Sequence, residues 1–189
     1  MKVISDIDYD HIAKLIQRNN IVAIYQGKDE GGPRALGNRS FLFNPSTDGM
    51  NHIINRMKGR EWYRPVAASV LHENFHQWFN ANHVNESPFM VYAVPVKEDS
   101  VEKIAPIVHE NNTCRVQTVK SSDNYHYYNL IKAYKKLTGI PIIGNTSFNL
   151  GGKPIINTLK EALNTIQNSK FEYLYLPEKK TLIYAENKE

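Results

Sequence analysis

The sequence has a single cysteine, Cys114, in 189 residues. That excludes an internal disulfide and any zinc site built from several thiolates. Long apolar runs are missing too. The run at 21–25 suffices for one strand and falls far short of the ~20 residues that span a bilayer. Residues 1–6 meet an acidic side chain at once and carry no apolar signal stretch, so a cytoplasmic protein without membrane association is expected. No basic run exceeds two residues, and the net charge is only +4. Such a surplus suits an anionic ligand such as a nucleotide and gives no footprint for a nucleic-acid backbone. The seven histidines are scattered, and only His72 and His76 stand at i, i+4. Without a third ligand they read as a surface pair on a helix, so no protein-held metal is expected. The phosphate loop with Gly-Lys-Ser/Thr, the Gly-x-Ser-x-Gly elbow and the dinucleotide fingerprint are all absent, which removes P-loop kinases and serine hydrolases.

What is present describes a soluble globular chain, 41% hydrophobic and 22% charged. Its length suits one domain over 1–189, with a core from about 20 to 185. Helical spacing marks 7–18 (Ile12, Leu15, Ile16, with Asp6 available as cap), Met50 to Met57, a short helix over 72–79, and Tyr127 to Leu137, closed by Gly139. Thr158 and Glu161 form a capping-box pair before Ala162, Leu163 and Ile166. Strands are expected at 21–25, 41–43, 66–71, 89–94 (ending near Pro95), 114–119, 140–143, 172–176 and 181–184. The stretch 105–113 reads as irregular, 144–154 as a loop, and 186–189 as a frayed tail. Strands and helices alternate without a strict βαβ rhythm. The expected fold is α/β, with α+β as the alternative, built on a mixed twisted sheet flanked by helices.

Four segments carry polar residues that packing does not require. Glu30-Gly31-Gly32-Pro33-Arg34-Ala35-Leu36-Gly37-Asn38-Arg39-Ser40 joins paired glycines, which let a backbone approach a ligand closely, to two arginines able to clamp phosphate oxygens. The plain alternative is a tight turn whose arginines pair with surface carboxylates. Lys58-Gly59-Arg60-Glu61-Trp62-Tyr63-Arg64-Pro65 puts Lys58, Arg60 and Arg64 beside two aromatics just after a helix. That suits a multiply charged anion, or simply a helix end where cations complement the dipole. Asn145-Thr146-Ser147-Phe148-Asn149 follows a buried strand, at the carboxyl end where α/β folds commonly bind ligands. Its alternative is a polar turn. Arg115 sits in a half-buried strand, where an unpaired cation is costly, unless it faces solvent.

Taken in order, Gly-Pro-Arg-Ala-Leu-Gly-Asn-Arg-Ser (32–40), Lys-Gly-Arg-Glu-x-x-Arg-Pro (58–65), Arg-Val-Gln-Thr-Val (115–119) and Asn-Thr-Ser-Phe-Asn (145–149) resemble the C-terminal domain of the O-carbamoyltransferases, the enzymes of nodulation-factor, cephamycin and tobramycin carbamoylation. The likeness runs from about 20 to 185. It implies a YrdC-like domain that binds carbamoyl phosphate and ATP, with Mg2+ accompanying the ATP, and forms a carbamoyl-adenylate. A separate Kae1-like partner would pass the carbamoyl group to an acceptor hydroxyl. Matched position by position, Lys58, Arg64, Arg115 and Ser147 look like the residues that carry the chemistry. Arg34, Arg39, Arg60, Asn145 and Thr146 look like substrate contacts. The competing class is a non-catalytic nucleotide- or nucleic-acid-binding module of the same fold, in which Trp62 and Tyr63 stack on bases.

Overall fold

Strands 22–25, 39–43 and 67–71 are buried almost along their whole length, so the sheet they form must be covered on both faces. In the computed structural model, which describes residues 1–185, that cover comes from helices on either side. In chain order the elements are β1 (Lys2–Ile4), α1 (Tyr9–Gln17), β2 (Val22–Tyr25), β3 (Arg39–Phe43), α2 (Met50–Met57), β4 (Ala67–Leu71), α3 (Phe75–Trp78), β5 (Ala93–Pro95) and α4 (Glu98–Val101). Then follow β6 (Thr113–Val119), α5 (Tyr125–Thr138), β7 (Ile142–Ser147), α6 (Leu159–Gln167), β8 (Tyr173–Leu176) and β9 (Thr181–Tyr184). The nine-stranded sheet has the order β1-β9-β8-β2-β3-β7-β4-β6-β5. β2 runs parallel to β8 and β4 to β6, and the other neighbours are antiparallel. The expected mixed α/β sheet is the one the chain builds.

Alternation along each strand divides the core in two. Leu42, Leu71, Val119 and Ile143 meet Ile12 and Ile16 of α1 and Leu130, Ile131 and Tyr134 of α5. On the opposite face Phe41, Phe43, Val70 and Val116 meet Ile54 of α2, Phe75 of α3 and Ile166 of α6. Phe41 lies between Phe148 and Phe171, with ring centroids 4.6 and 3.8 Å away. Burying a side chain of that size stabilises the fold by about 2–3 kcal/mol. The capping box at Thr158 and Glu161 is formed, and Gly139 closes α5 as the spacing predicts.

Several elements differ from the sequence reading. The cap of α1 is Asp8, whose Oδ1 accepts the amide of His11 at 2.8 Å, and not Asp6, which sits at φ 59° before the helix. β1 and α4 carry little apolar periodicity and were not expected; β1 is exposed and held by pairing with β9. The strand expected over 89–94 is confined to Ala93–Pro95. Ahead of it Met90 takes φ 55° and turns inward, leaving Phe89, Val91 and Tyr92 exposed. A run of apolar and aromatic residues mimics a strand, but the chain has no neighbour there to pair with. β3 begins at Arg39, and β7 runs on to Ser147, so Asn145, Thr146 and Ser147 belong to the sheet and not to a loop. Their polarity hid the strand. The segment 173–176 is the core strand β8, with Leu174 and Tyr175 buried. The expected tail at 186–189 lies outside the described residues. No helix among those described is long and apolar enough to cross a membrane.

Candidate anion-binding site

Antiparallel pairing of β7 with β3 and β4, and parallel pairing of β4 with β6, sets the site's frame. Asn145 pairs with Ala67, which in turn pairs with Arg115, so these three occupy one row across the sheet. Two positions further along β7, Ser147 ends the strand opposite Ser40. Lys58 arrives from the end of α2, almost fully buried, and passes over the Phe41 ring with its Nζ 5.5 Å from the centroid. Its Nζ donates to the Ser147 carbonyl and has Ser147 Oγ at 3.2 Å, Asn149 Oδ1 at 3.1 Å and Thr146 Oγ1 at 3.4 Å as further acceptors within reach. Ser147 Oγ also donates to Asn149 Oδ1 at 2.5 Å. Gly151 closes the far wall: its amide meets the Lys58 carbonyl at 2.6 Å, and a Cβ there would come within 2.5 Å of the Gly59 carbonyl oxygen. The result is a cavity of about 520 Å³ lined by Lys58, Arg60, Arg64, Ser147, Asn149 and the Gly151-Gly152 turn.

The charges in this region are unbalanced. Among the described residues the one ion pair within the cluster is Arg64–Glu61 at 2.6 Å, both half exposed. Burial, then the charge of Arg60, brings the Lys58 pKa down to about 6. Burial, then neighbouring Arg64 and Arg115, lowers Arg60 to about 10. Burial and Arg34 lower Arg115 in turn. Arg60 Nη2 and Arg115 Nε are buried without a hydrogen-bond partner among the described residues. Buried donors without acceptors are rare in folded proteins because each costs its desolvation. Mutually repelling cations with spare donors are the negative image of a polyanion.

The positions expected from sequence separate into three groups. Lys58, Arg60, Arg64 and Ser147 come together around the cavity, Thr146 lies behind it against Lys58 Nζ, and Arg115 and Arg34 extend the positive field beyond Arg60. Asn145 is fully buried and donates to the Ala35 carbonyl at 3.2 Å and to Ser69 Oγ at 3.1 Å. It works on the loop above it and not on the cavity. Arg39 is the clearest departure from a substrate contact. It is buried, stacks 3.7 Å over the Tyr25 ring, pairs with Asp29 at 2.7 Å and donates to the carbonyls of Gln26 and Asn157. A guanidinium so engaged organises the main chain around it.

Sequence reading passed over the residues that hold the site in shape. Asn149 lies two positions after Ser147 in the same motif and shares its contacts with Lys58. The loop carrying Arg34 is pinned from all sides. Glu30 Oε1 accepts the amides of Leu36, Asn38 and Arg39 at 2.9, 2.9 and 3.1 Å. Asn145, Gln117 and Gln26 donate to the successive carbonyls of Ala35, Leu36 and Gly37. Asn55, fully buried in α2, donates to the carbonyls of Trp62 and Arg64, both at 2.9 Å, and accepts from Arg60 Nε at 2.6 Å. One side chain thus sets the path of the whole 60–64 turn. Asn55→Ala is expected to lower stability by about 2 kcal/mol, because the turn loses partners that water cannot replace. The corresponding fall in melting temperature is roughly 4–8 °C for a chain of this size, read by thermal denaturation. A melting temperature equal to wild type would show that the turn holds its own shape.

Fold and site together define a mixed α/β domain with a cluster of cationic side chains around one cavity. The family profile described as "Carbamoyltransferase C-terminus" matches residues 13–182, and the chain belongs to that family. It is 38% identical over 178 residues to the nodulation protein NolNO of Sinorhizobium fredii, covering 89% of this chain and 26% of that protein. It is 33% identical over 155 residues to the 3'-hydroxymethylcephem-O-carbamoyltransferase of Amycolatopsis lactamdurans, covering 82% of this chain and 29% of that one. An uncharacterised protein of Methanocaldococcus jannaschii is 37% identical over 165 residues, 87% of this chain and 27% of its own length. The chain therefore spans little more than a quarter of these relatives. Among solved structures, full-length HypF in its phosphate- and nucleotide-bound form has a TM-score of 0.59 at 19% identity, over 89% of this chain and 27% of that one. That likeness is one of fold.

Proposed function

We propose that this domain binds carbamoyl phosphate and ATP, forms a carbamoyl-adenylate, and hands it to a separate Kae1-like partner that carbamoylates an acceptor hydroxyl. The observation that carries the reading is the gathering of Arg60, Arg64 and Arg115 around Lys58, with Glu61 pairing Arg64 alone and buried N–H donors of Arg60 and Arg115 still unpaired. Both substrates are phosphorylated anions, and they repel each other in water. Cations placed beforehand offset that repulsion at no cost of reorganisation during the reaction. The atoms balance when water first hydrolyses carbamoyl phosphate to carbamate and phosphate, with release of a proton. A carbamate oxygen then bonds the α-phosphorus as the bond to pyrophosphate breaks. Charge grows on the departing pyrophosphate, where Lys58, Arg60 and Arg64 can meet it. The described residues hold no group of three or more His, Cys, Asp or Glu side chains able to cage a metal ion. The Mg2+ expected with ATP would therefore be carried mainly on phosphate oxygens.

The test is pyrophosphate release by the purified chain, with and without carbamoyl phosphate and with and without an acceptor-domain protein. Release that requires carbamoyl phosphate is the expected result. No release under any of these conditions, with ATP bound, would leave a binding module instead. A salt-sensitive affinity for RNA, without turnover, would then identify its ligand.

A further inference from the structure

Next to the anion cavity lies a larger cleft, of about 880 Å³, whose walls include Trp62, Tyr63, Pro65, Ile107 and His109. Arg64 lies on the wall of both spaces. A ligand with phosphates at Lys58 and Arg60 would run past Arg64 and bring whatever follows them into this cleft. What it meets there is aromatic. Trp62 and Tyr63 are 69% and 67% exposed, unusual for large rings on a folded surface. Their centroids stand 5.8 Å apart at 87°, and His52 lies 5.7 Å from Trp62.

Exposed rings at a turn are ordinarily mobile, but here the main chain that carries them is held in place. Asn55 grips the main chain on either side of Tyr63, at the Trp62 and Arg64 carbonyls. The turn thus holds two rings toward solvent and one cation toward the phosphate cavity. That arrangement matches a molecule with a planar heteroaromatic end and a polyanionic end, because every base offers a face for stacking.

We propose that the cleft formed by Trp62 and Tyr63 is a nucleobase pocket, which stacks the purine of a nucleoside triphosphate whose phosphates lie along Arg64, Arg60 and Lys58. This assignment rests on the nucleotide-binding reading above and adds to it the direction in which the nucleotide lies. It also gives the domain a means to tell ATP from inorganic polyphosphate, which the cation cluster alone lacks.

Calorimetric titration of the full chain with ATP, CTP and inorganic tripolyphosphate tests it. ATP is expected to bind more tightly than CTP, since a purine presents more surface to stack. Trp62→Ala should weaken ATP by about tenfold and leave tripolyphosphate unchanged, as loss of a stacking ring does. The ring is exposed, so the variant should melt with wild type, and ATP should quench indole fluorescence in wild type but not in Trp62→Phe. If Trp62→Ala and Tyr63→Ala together bind ATP as wild type does, the base lies elsewhere. The pocket assignment then falls while the nucleotide reading stands. If wild type binds tripolyphosphate as tightly as ATP, no base is recognised and the pocket assignment alone falls; if it does not bind ATP at all, both readings fall.

Discussion

Lys58→Met is expected to reduce carbamoyl-phosphate-dependent pyrophosphate release by about a hundredfold or more, the ~3 kcal/mol scale of removing one preorganised donor from a transition state. Lys58 is the buried member of the cluster, and its Nζ joins Ser147, Asn149 and Thr146 into one wall. The same residue makes binding depend on pH. Without a ligand, burial and Arg60 bring its pKa to about 6, so near pH 7.5 the amine is largely neutral. A bound phosphate favours the charged form and raises that pKa, and the complex takes up a proton. Affinity should therefore be highest near pH 6, where the amine holds its proton and the ligand's phosphate, with a second pKa of about 6, still keeps much of its charge. Above that it should fall by roughly tenfold per pH unit until the pKa of the bound form is reached. The effect on stability has the opposite sense. Between the folded pKa and the higher unfolded one, the unfolded chain holds more protons, so the contribution of Lys58 to stability rises as pH rises above about 6. Calorimetry in buffers of different ionisation enthalpy measures the proton uptake directly. Equal apparent enthalpies in all buffers, or a Lys58→Met protein that keeps its turnover, would remove Lys58 from the mechanism.

Gly37→Ala should be the most damaging small change in the protein. Gly37 sits at φ 98° in the loop that carries Arg34, and a Cβ there would stand 2.2 Å from Cδ1 of Tyr127. Tyr127 is fully buried beneath the loop and cannot retreat without moving α5. Backbone strain and overpacking act together, and a loss of about 3 kcal/mol is expected. For a chain of this size that lowers the melting temperature by roughly 6–12 °C. The functional loss should exceed the loss of fold, because Glu30, Gln26, Gln117 and Asn145 hold the loop as one unit. Thermal melting and pyrophosphate release, measured on the same sample below its melting temperature, separate the two effects. A variant with normal melting and normal turnover would show that the loop has slack the contacts do not suggest.

Both predictions depend on contacts that differ in how visible they are in the sequence. The mixed α/β class, most of the helices and the cations of the 58–64 segment follow from residue patterns, because periodicity and charge are local properties. The capping box at Thr158 and the end of α5 at Gly139 are legible for the same reason: each is written within a few neighbouring residues. The extent of β7 is not local. Gly144, Asn145, Thr146 and Ser147 look like a loop until β3 and β4 pair with them on either side. The false strand over 89–94 is the converse, an apolar run with no partner for most of its length.

By itself, the sequence determined which residue types were available for anion chemistry and in what order they come along the chain. Only the tertiary structure decided which of them share a space. Arg34 and Arg39 stand five residues apart in one motif, yet Arg34 joins the positive field beside Arg115 while Arg39 is buried against Tyr25 and Asp29. The strand that begins at Arg39 fixes the face to which that side chain turns, and strand pairing is a property of distant segments. The same reason makes Asn55 and Glu30 silent in the sequence. Their partners are main-chain atoms, which every residue carries, and only the fold shows which of those atoms an asparagine or a glutamate must hold.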